Sequence, residues 1–259
     1  MKAKKSYGQH FLTSEEISSN IADGLQLKDA YKKVLEVGPG QGMLTKYLLE
    51  KDFELLAVEA DRDMVQYLYR HYPAMREQII PADFMKLDFE PFFKDEQFAL
   101  IGNFPYNISS QIVFKMIDNR HQIPEMVGMF QKEMAERIIA KPGSKTYGVI
   151  SILSQVYYEG EYLFTVGPDN FDPPPKVNSA VIRLVRKERQ KLSCDMKLFK
   201  RVVKQAFSQR RKMLRNTMKA FIKGDPALDT DFFKQRPEQL SIEDFERVTN
   251  MVGEIMGKG

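Results

Sequence analysis

The sequence predicts an α/β protein: a Rossmann-like domain with a mostly parallel sheet, followed by a small all-helical domain. Three observations carry that expectation. Short apolar runs alternate with segments of helical periodicity over the first two-thirds of the chain, the pattern of successive βαβ units. A glycine-rich loop, "GPGQG", directly follows the first of those runs. After about residue 187 the strand-like runs stop and helical patterns alone remain. The expected domains are 1–187, including an N-terminal arm ahead of the first run, and 188–259.

Taken in order, "KVLEV" (33–37) reads as a strand and "GMLTKYLLEK" (42–51) as a helix. "ELLAV" (54–58) is the next strand, and "DRDMVQYLYRHY" (61–72) the helix after it. "QII" (78–80) is a short third strand and "FALIG" (98–102) a fourth. A helix over about 108–118 leads to the strand "EMVGMF" (125–130), then to a helix over about 131–140. "YGVISILSQVYY" (147–158) is expected to be helical. "YLFTV" (162–166) and "SAVIRLV" (179–185) read as a closing pair of strands around the loop "GPDNFDPPPKVN". Two helices, "MKLFKRVVKQAF" (196–207) and "RRKMLRNTMKAFI" (210–222), dominate the rest.

Composition narrows the function. The 259 residues are 43% hydrophobic, enough for a substantial core, and no apolar run approaches the roughly 18 residues that span a bilayer. The basic start "MKAKKSYGQHFL" lacks the apolar centre of a secretory signal. The single Cys194 excludes an internal disulfide and a cysteine-rich zinc site, and His10, His71 and His121 have no metal-ligand spacing. A cytoplasmic, monomeric protein without a metal is expected. The formal net charge is only +4, but from Arg183 to Lys223 the only acids are Glu188 and Asp195. An uncompensated basic block of that length points to an anionic partner, nucleic acid first.

Ligands of doubly wound folds sit at the carboxyl ends of the strands. Gly38, Gly40 and Gly42 follow the first strand of the expected sheet, where glycine permits a tight turn and close backbone approach. The dinucleotide fingerprint would need a glycine at Met43, which argues against a pyrophosphate and a dehydrogenase. Glu59, about 20 residues on, ends the second strand, where a carboxylate can accept both ribose hydroxyls. Asp83, after the third strand, can accept from an adenine amino group, and a solvated turn is its alternative reading. A cofactor carrying adenosine but no pyrophosphate fits these three strand ends, and S-adenosylmethionine is such a molecule.

"IGNFPYNISS" (101–110) follows the fourth strand and faces the same crevice. One reading is a strand-to-helix turn, with Pro105 fixing φ and Asn107 or Ser109 as the cap. The other is a grip on a flat, polar ligand. Here the chain resembles the KsgA/RsmA family of ribosomal RNA adenine dimethyltransferases, nearly end to end: "YGQHFL", "LEVGPGQGMLT", "VEADRD", "GNFPYNIS", "QKEMAERI", "FDPPPKVNSAVIRL" and "AFSQRRKMLRN". The resemblance implies transfer of methyl groups from S-adenosylmethionine to the N6 amines of two neighbouring adenosines near the 3′ end of small-subunit ribosomal RNA. It implies that Asn103 and the Phe104 carbonyl accept the amine hydrogens, that Pro105 holds that carbonyl, and that Tyr106 and Phe171 wall the base. It also implies cofactor contacts from His10, Leu12, Gly38, Glu59, Asp83 and Asn103. No candidate histidine is expected nearby, which agrees with a direct displacement that needs geometry more than a general base. His10 stands where many relatives read Asn, and Phe104 where many read Leu.

Arg210, Arg211, Lys212 and Arg215, expected within two turns of one helix, are the candidate RNA contacts. Two other readings share parts of this pattern. The macrolide-resistance methyltransferases, which modify large-subunit RNA, share the cofactor motifs and a "PKVNS"-like segment, but "AFSQRRKMLRN" resembles the small-subunit enzymes. A non-catalytic assembly factor is disfavoured by the intact Asn103–Tyr106 motif.

Overall fold

The computed structural model describes residues 9–27, 29–188 and 191–257. The basic start up to Gly8, including the first two residues of "YGQHFL", lies outside them. By contact the chain forms two compact units. One takes in the residues up to Ala135 together with Glu159–Arg186, and the other Glu136–Tyr158 with the residues from Lys187 on.

The first unit contains β1 (Phe11–Leu12), β2 (Lys33–Val37), β3 (Glu54–Glu59), β4 (Ile79–Pro81), β5 (Phe98–Asn103), β6 (Glu125–Gln131), β7 (Tyr158–Val166, all but its first residue), β8 (Phe171–Asp172) and β9 (Ser179–Arg186). Its seven-stranded sheet runs β4-β3-β2-β5-β6-β9-β7. β2 to β6 pair in parallel, and β9 lies antiparallel to β6. The apolar runs are continuous because these strands are covered on both faces, and the first five residues of β5 are all buried. The chain builds outward from β2 to β4, then returns to lay β5 on the other side of β2. That reversal opens a crevice at the carboxyl ends of β2 and β5.

The helices of this unit are α1 (Glu15–Asp23), α2 (Thr45–Leu48), α3 (Arg62–His71), α4 (Glu90–Phe93) and α5 (Ser109–Asp118). α1 has no counterpart among the elements expected from sequence. It is capped by Ser14, whose Oγ accepts from Ile17 N at 3.3 Å, with Glu15 and Glu16 favourably placed in its first turn. The expected helix over 42–51 shrinks to α2, because residues 40–44 remain a turn.

Beyond β6, α6 (Lys132–Ile138) leads into the second unit, with α7 (Val149–Gln155), α8 (Met196–Phe207), α9 (Leu214–Ile222), α10 (Asp231–Lys234) and α11 (Ile242–Gly257). Residues 136–158 therefore belong with these helices, a correction to a first domain running unbroken to 187. The reason is packing. The Tyr147 ring meets Phe207 edge-on, Phe207 stacks on Phe245, and the Tyr147 hydroxyl donates to the Leu240 carbonyl at 3.0 Å. Among the described residues no helix is long and apolar enough to cross a membrane.

Candidate active site

The crevice is a cleft of about 740 Å³ lined by residues 9–12, the glycine loop, the ends of β3 and β4, and residues 103–108. His10, Leu12, Gly38, Gly40, Glu59, Asp83, Asn103, Phe104, Pro105 and Tyr106 all line it.

Glu59 ends β3 nearly buried, at 7% exposure. Its Oε2 accepts from Gly40 N at 3.1 Å and its Oε1 from Asp61 N at 2.9 Å. Burial pushes its carboxyl upward from the ordinary value, and those two backbone donors pull back the other way. Gly40 has φ +56°, and this left-handed turn delivers its N–H to the carboxylate. The nucleotide-type loop and the acid at the next strand end are thus one hydrogen-bonded assembly.

Glu36, at 1% exposure, also lines the cleft, a residue that sequence reasoning does not single out. It accepts from Thr45 Oγ1 at 2.7 Å. Burial, aided by the charge of Glu59, pushes its carboxyl up to about 8, although the Thr45 bond opposes the shift. Asp83 is exposed and caps a single 3-10 turn, its Oδ1 accepting from Met85 N at 2.9 Å. It lines the cleft as well.

Residues 9–13 bind these pieces together. Gln9 Nε2 donates to Asp61 Oδ2 at 3.0 Å, on the residue that caps α3. β1 pairs antiparallel with β8, Phe11 opposite Asp172 and Leu12 opposite Phe171. Thr13 donates to the Asn170 carbonyl through N at 2.9 Å and Oγ1 at 3.0 Å. The Asn103 side chain donates through Nδ2 to the His10 carbonyl at 3.0 Å. The His10 ring stacks on Tyr106, with centroids 5.5 Å apart and planes 27° from parallel. The expectation of no histidine near the motif is therefore corrected: 93 residues of chain separate His10 from Asn103, and the fold closes that distance.

The Tyr106 hydroxyl shares a hydrogen bond with Ser179 Oγ at 2.6 Å, giving a role to a residue of "PKVNS" that sequence reading quoted without one. Neither Asn107 nor Ser109 caps α5. Its first turn starts from Ile108 with no side-chain cap, and Ser109 Oγ donates instead to the Tyr106 carbonyl at 3.1 Å. Phe171 does not line the cleft. It is 4% exposed, in the core with Leu12, its partner across the β1–β8 pair.

The basic block divides by role. Arg183 is taken up by the buried Glu125, at 2.5 Å, and Arg186 donates to the carbonyls of Arg120 and His121. Arg210, Arg211 and Lys212 lie in the turn before α9, not within a helix that includes them all; Arg215 alone of the four is helical. The turn persists because Leu214 N finds the Gln235 carbonyl at 2.8 Å, outside the helix. Arg210 donates to Glu238 Oε2 at 3.0 Å and to the Ser144 carbonyl at 3.1 Å, whereas Arg211 and Lys212 are exposed.

A family model described as ribosomal RNA adenine dimethylase matches residues 1–252. The chain belongs to that family. The ribosomal RNA small subunit methyltransferase A of Flavobacterium johnsoniae is 53% identical over 252 residues, covering 97% of this chain and 96% of that protein. A crystal structure of a dimethyladenosine transferase from Plasmodium falciparum aligns with a TM-score of 0.76 at 25% identity, covering 94% of this chain and 98% of the other. The 23S rRNA methyltransferase ErmE aligns at 0.71 and 23% identity over 94% of this chain and 99% of its own, a likeness of fold alone.

Within this dimethylase fold, Phe104 has a steric explanation. Its ring is fully buried and meets Phe130 edge-on at 5.1 Å. A Cβ at Gly128, on the neighbouring strand, would collide with that ring. The glycine makes the room that the Phe104 ring needs.

Proposed function

We propose that the chain transfers methyl groups from S-adenosylmethionine to the N6 amines of two adjacent adenosines near the 3′ end of small-subunit ribosomal RNA. The observation that carries this reading is the convergence of Glu59, the glycine loop and the Asn103–Tyr106 motif on one cleft. The cleft suits such a cofactor: a buried carboxylate stands at the end of β3, held by the Gly40 N–H of a loop that lacks the extra glycine of a pyrophosphate site.

S-Adenosylmethionine, when bound, supplies an electrophilic methyl group on a sulfonium. Glu59 accepts the ribose hydroxyls and Asp83 the adenine amino group, while His10, Leu12, Gly38 and Gly40 complete that half of the cleft. In the other half, Asn103 and the Phe104 carbonyl accept the hydrogens of the target amine. An adenine amine is a poor nucleophile because its lone pair is delocalised into the ring. Accepting its hydrogens localises that pair, so positioning supplies much of the rate. The Asn103 amide has the orientation this needs: Nδ2 is committed to the His10 carbonyl, which leaves Oδ1 to accept. Pro105 keeps the carbonyl in place, and Tyr106 stacks on the flipped base. Phe171 supports the same wall through the β1–β8 pair instead of touching the base.

Arg211, Lys212 and Arg215 hold RNA phosphates, with Arg210 fixing the turn that presents them. The partner is the small ribosomal subunit or its precursor, met in the cytoplasm by a monomer. Incubation with labelled S-adenosylmethionine and under-methylated small or large subunits, followed by mapping of the modified base, tests the reading. Label in large-subunit RNA, or in neither, refutes it.

A further inference from the structure

Residues 9–13 are held at more points than a cofactor contact requires. The Asn103 amide, the Tyr106 ring, the Asp61 cap and the 170–173 loop all connect to them. The Asp61 cap is met by Gln9, and His10 takes three of these connections. Its carbonyl receives the Asn103 amide, and its ring lies against Tyr106. Its Nδ1 is 2.7 Å from the Pro173 carbonyl. A carbonyl only accepts, so Nδ1 carries a proton and donates, which fixes the rotation of the imidazole. The ring is therefore anchored on one side to the 170–173 loop and packed on the other against the aromatic assigned to the base. Tyr106 is anchored in turn at its far end by Ser179. Between them, the imidazole and the serine leave the tyrosine plane little freedom.

We infer that His10 is a positioning residue for the target adenosine: its ring sets the plane of Tyr106 while its carbonyl turns the Asn103 oxygen toward the amine. This rests on the assignment of Asn103 and Tyr106 to the base, and it adds a role distinct from any cofactor contact of His10. Asparagine at this position keeps the carbonyl but has no ring to stack.

The experiment compares wild type, His10→Ala, His10→Phe and Tyr106→Ala in full-length protein. Single-turnover methyl transfer is measured at saturating subunits and S-adenosylmethionine, and cofactor affinity separately by calorimetry. Phe keeps a flat ring and loses the bond to Pro173. His10→Ala is expected to slow the methyl-transfer step about 10- to 100-fold, and His10→Phe to recover most of that loss. Saturation removes any contribution from weaker cofactor binding. Equal rates for His10→Ala and wild type, beside a slow Tyr106→Ala, overturn the positioning role and leave the base assignment standing. A wild-type rate in Tyr106→Ala overturns that assignment, and the inference with it. Equally slow Ala and Phe variants refute the stacking. A faster His10→Ala also refutes it, since the ring would then be occupying the place of the base.

Discussion

Replacing Glu36 with glutamine tests the electrostatics of the cleft most directly. The carboxyl has an ordinary value of 4.5 and is pushed up to about 8 in the fold. The folded protein therefore holds the proton more tightly than the unfolded chain does. Stability from this residue is fully present below 4.5 and is lost as the pH rises through 8. Each pH unit between the two values removes about 1.4 kcal/mol, which makes the loss roughly 3 kcal/mol at neutral pH and roughly 5 kcal/mol at most. Glutamine is nearly isosteric, keeps an oxygen for Thr45 Oγ1, and never ionises. Urea denaturation of the cofactor-free protein at about pH 5.5 and 8 should show Glu36→Gln gaining on wild type by roughly 3 kcal/mol across that interval. Glu59 shifts in the same direction and is present in both proteins, so only its coupling to the Glu36 charge enters the difference, as part of the same rise. Any packing defect of the amide adds a constant offset at both pH values. A stability difference that does not change with pH, or that changes in the opposite sense, refutes the assignment of a buried, protonated Glu36.

Glu59→Ala should weaken S-adenosylmethionine binding by roughly 1.5–3 kcal/mol for each ribose hydroxyl it accepts, and unchanged calorimetric affinity in the folded variant would remove it from the site. Asn103→Ala and Tyr106→Ala should lose most methyl transfer while subunit binding, dominated by distributed phosphate contacts, falls far less; near-normal turnover in either would defeat the mechanism. Reversing Arg211 and Lys212 to Glu should weaken subunit binding and flatten its dependence on salt, because fewer counterions are released. Arg210 is left out of that variant because its ion pair with Glu238 would confound docking with stability. Equal salt slopes for variant and wild type would assign the turn to plain solvated surface.

The sequence by itself determined the strand framework. Parallel strands covered on both faces are apolar at nearly every position, so "KVLEV", "ELLAV" and "FALIG" stand out from any local context. Each such strand ends where its turn residues begin, which made Gly38, Glu59, Asp83 and Asn103 readable as neighbours before any distance was known. The family motifs then supplied the chemistry. What escaped was short or long-range. β1 and β8 are two residues each, too brief for periodicity, and are strands only because each supplies the other's hydrogen bonds. Gln9 reaches Asp61, and His10 reaches Tyr106, across stretches of chain over which no local pattern operates. The basic segment at 210–213 has a helical composition, yet Arg210 bonds to Glu238 and Ser144, and Leu214 N to the Gln235 carbonyl. Partners distant in sequence thereby replaced the next turn of helix. Glu36 reads from sequence as one more strand residue, and only complete burial beside Glu59 makes its proton part of the site. Local patterning decides which segments can be strands or helices, because it depends on the faces they must cover. Orientation of the amides, rings and carboxylates depends on which distant groups the closed fold brings within hydrogen-bonding reach, and only the tertiary structure decides that.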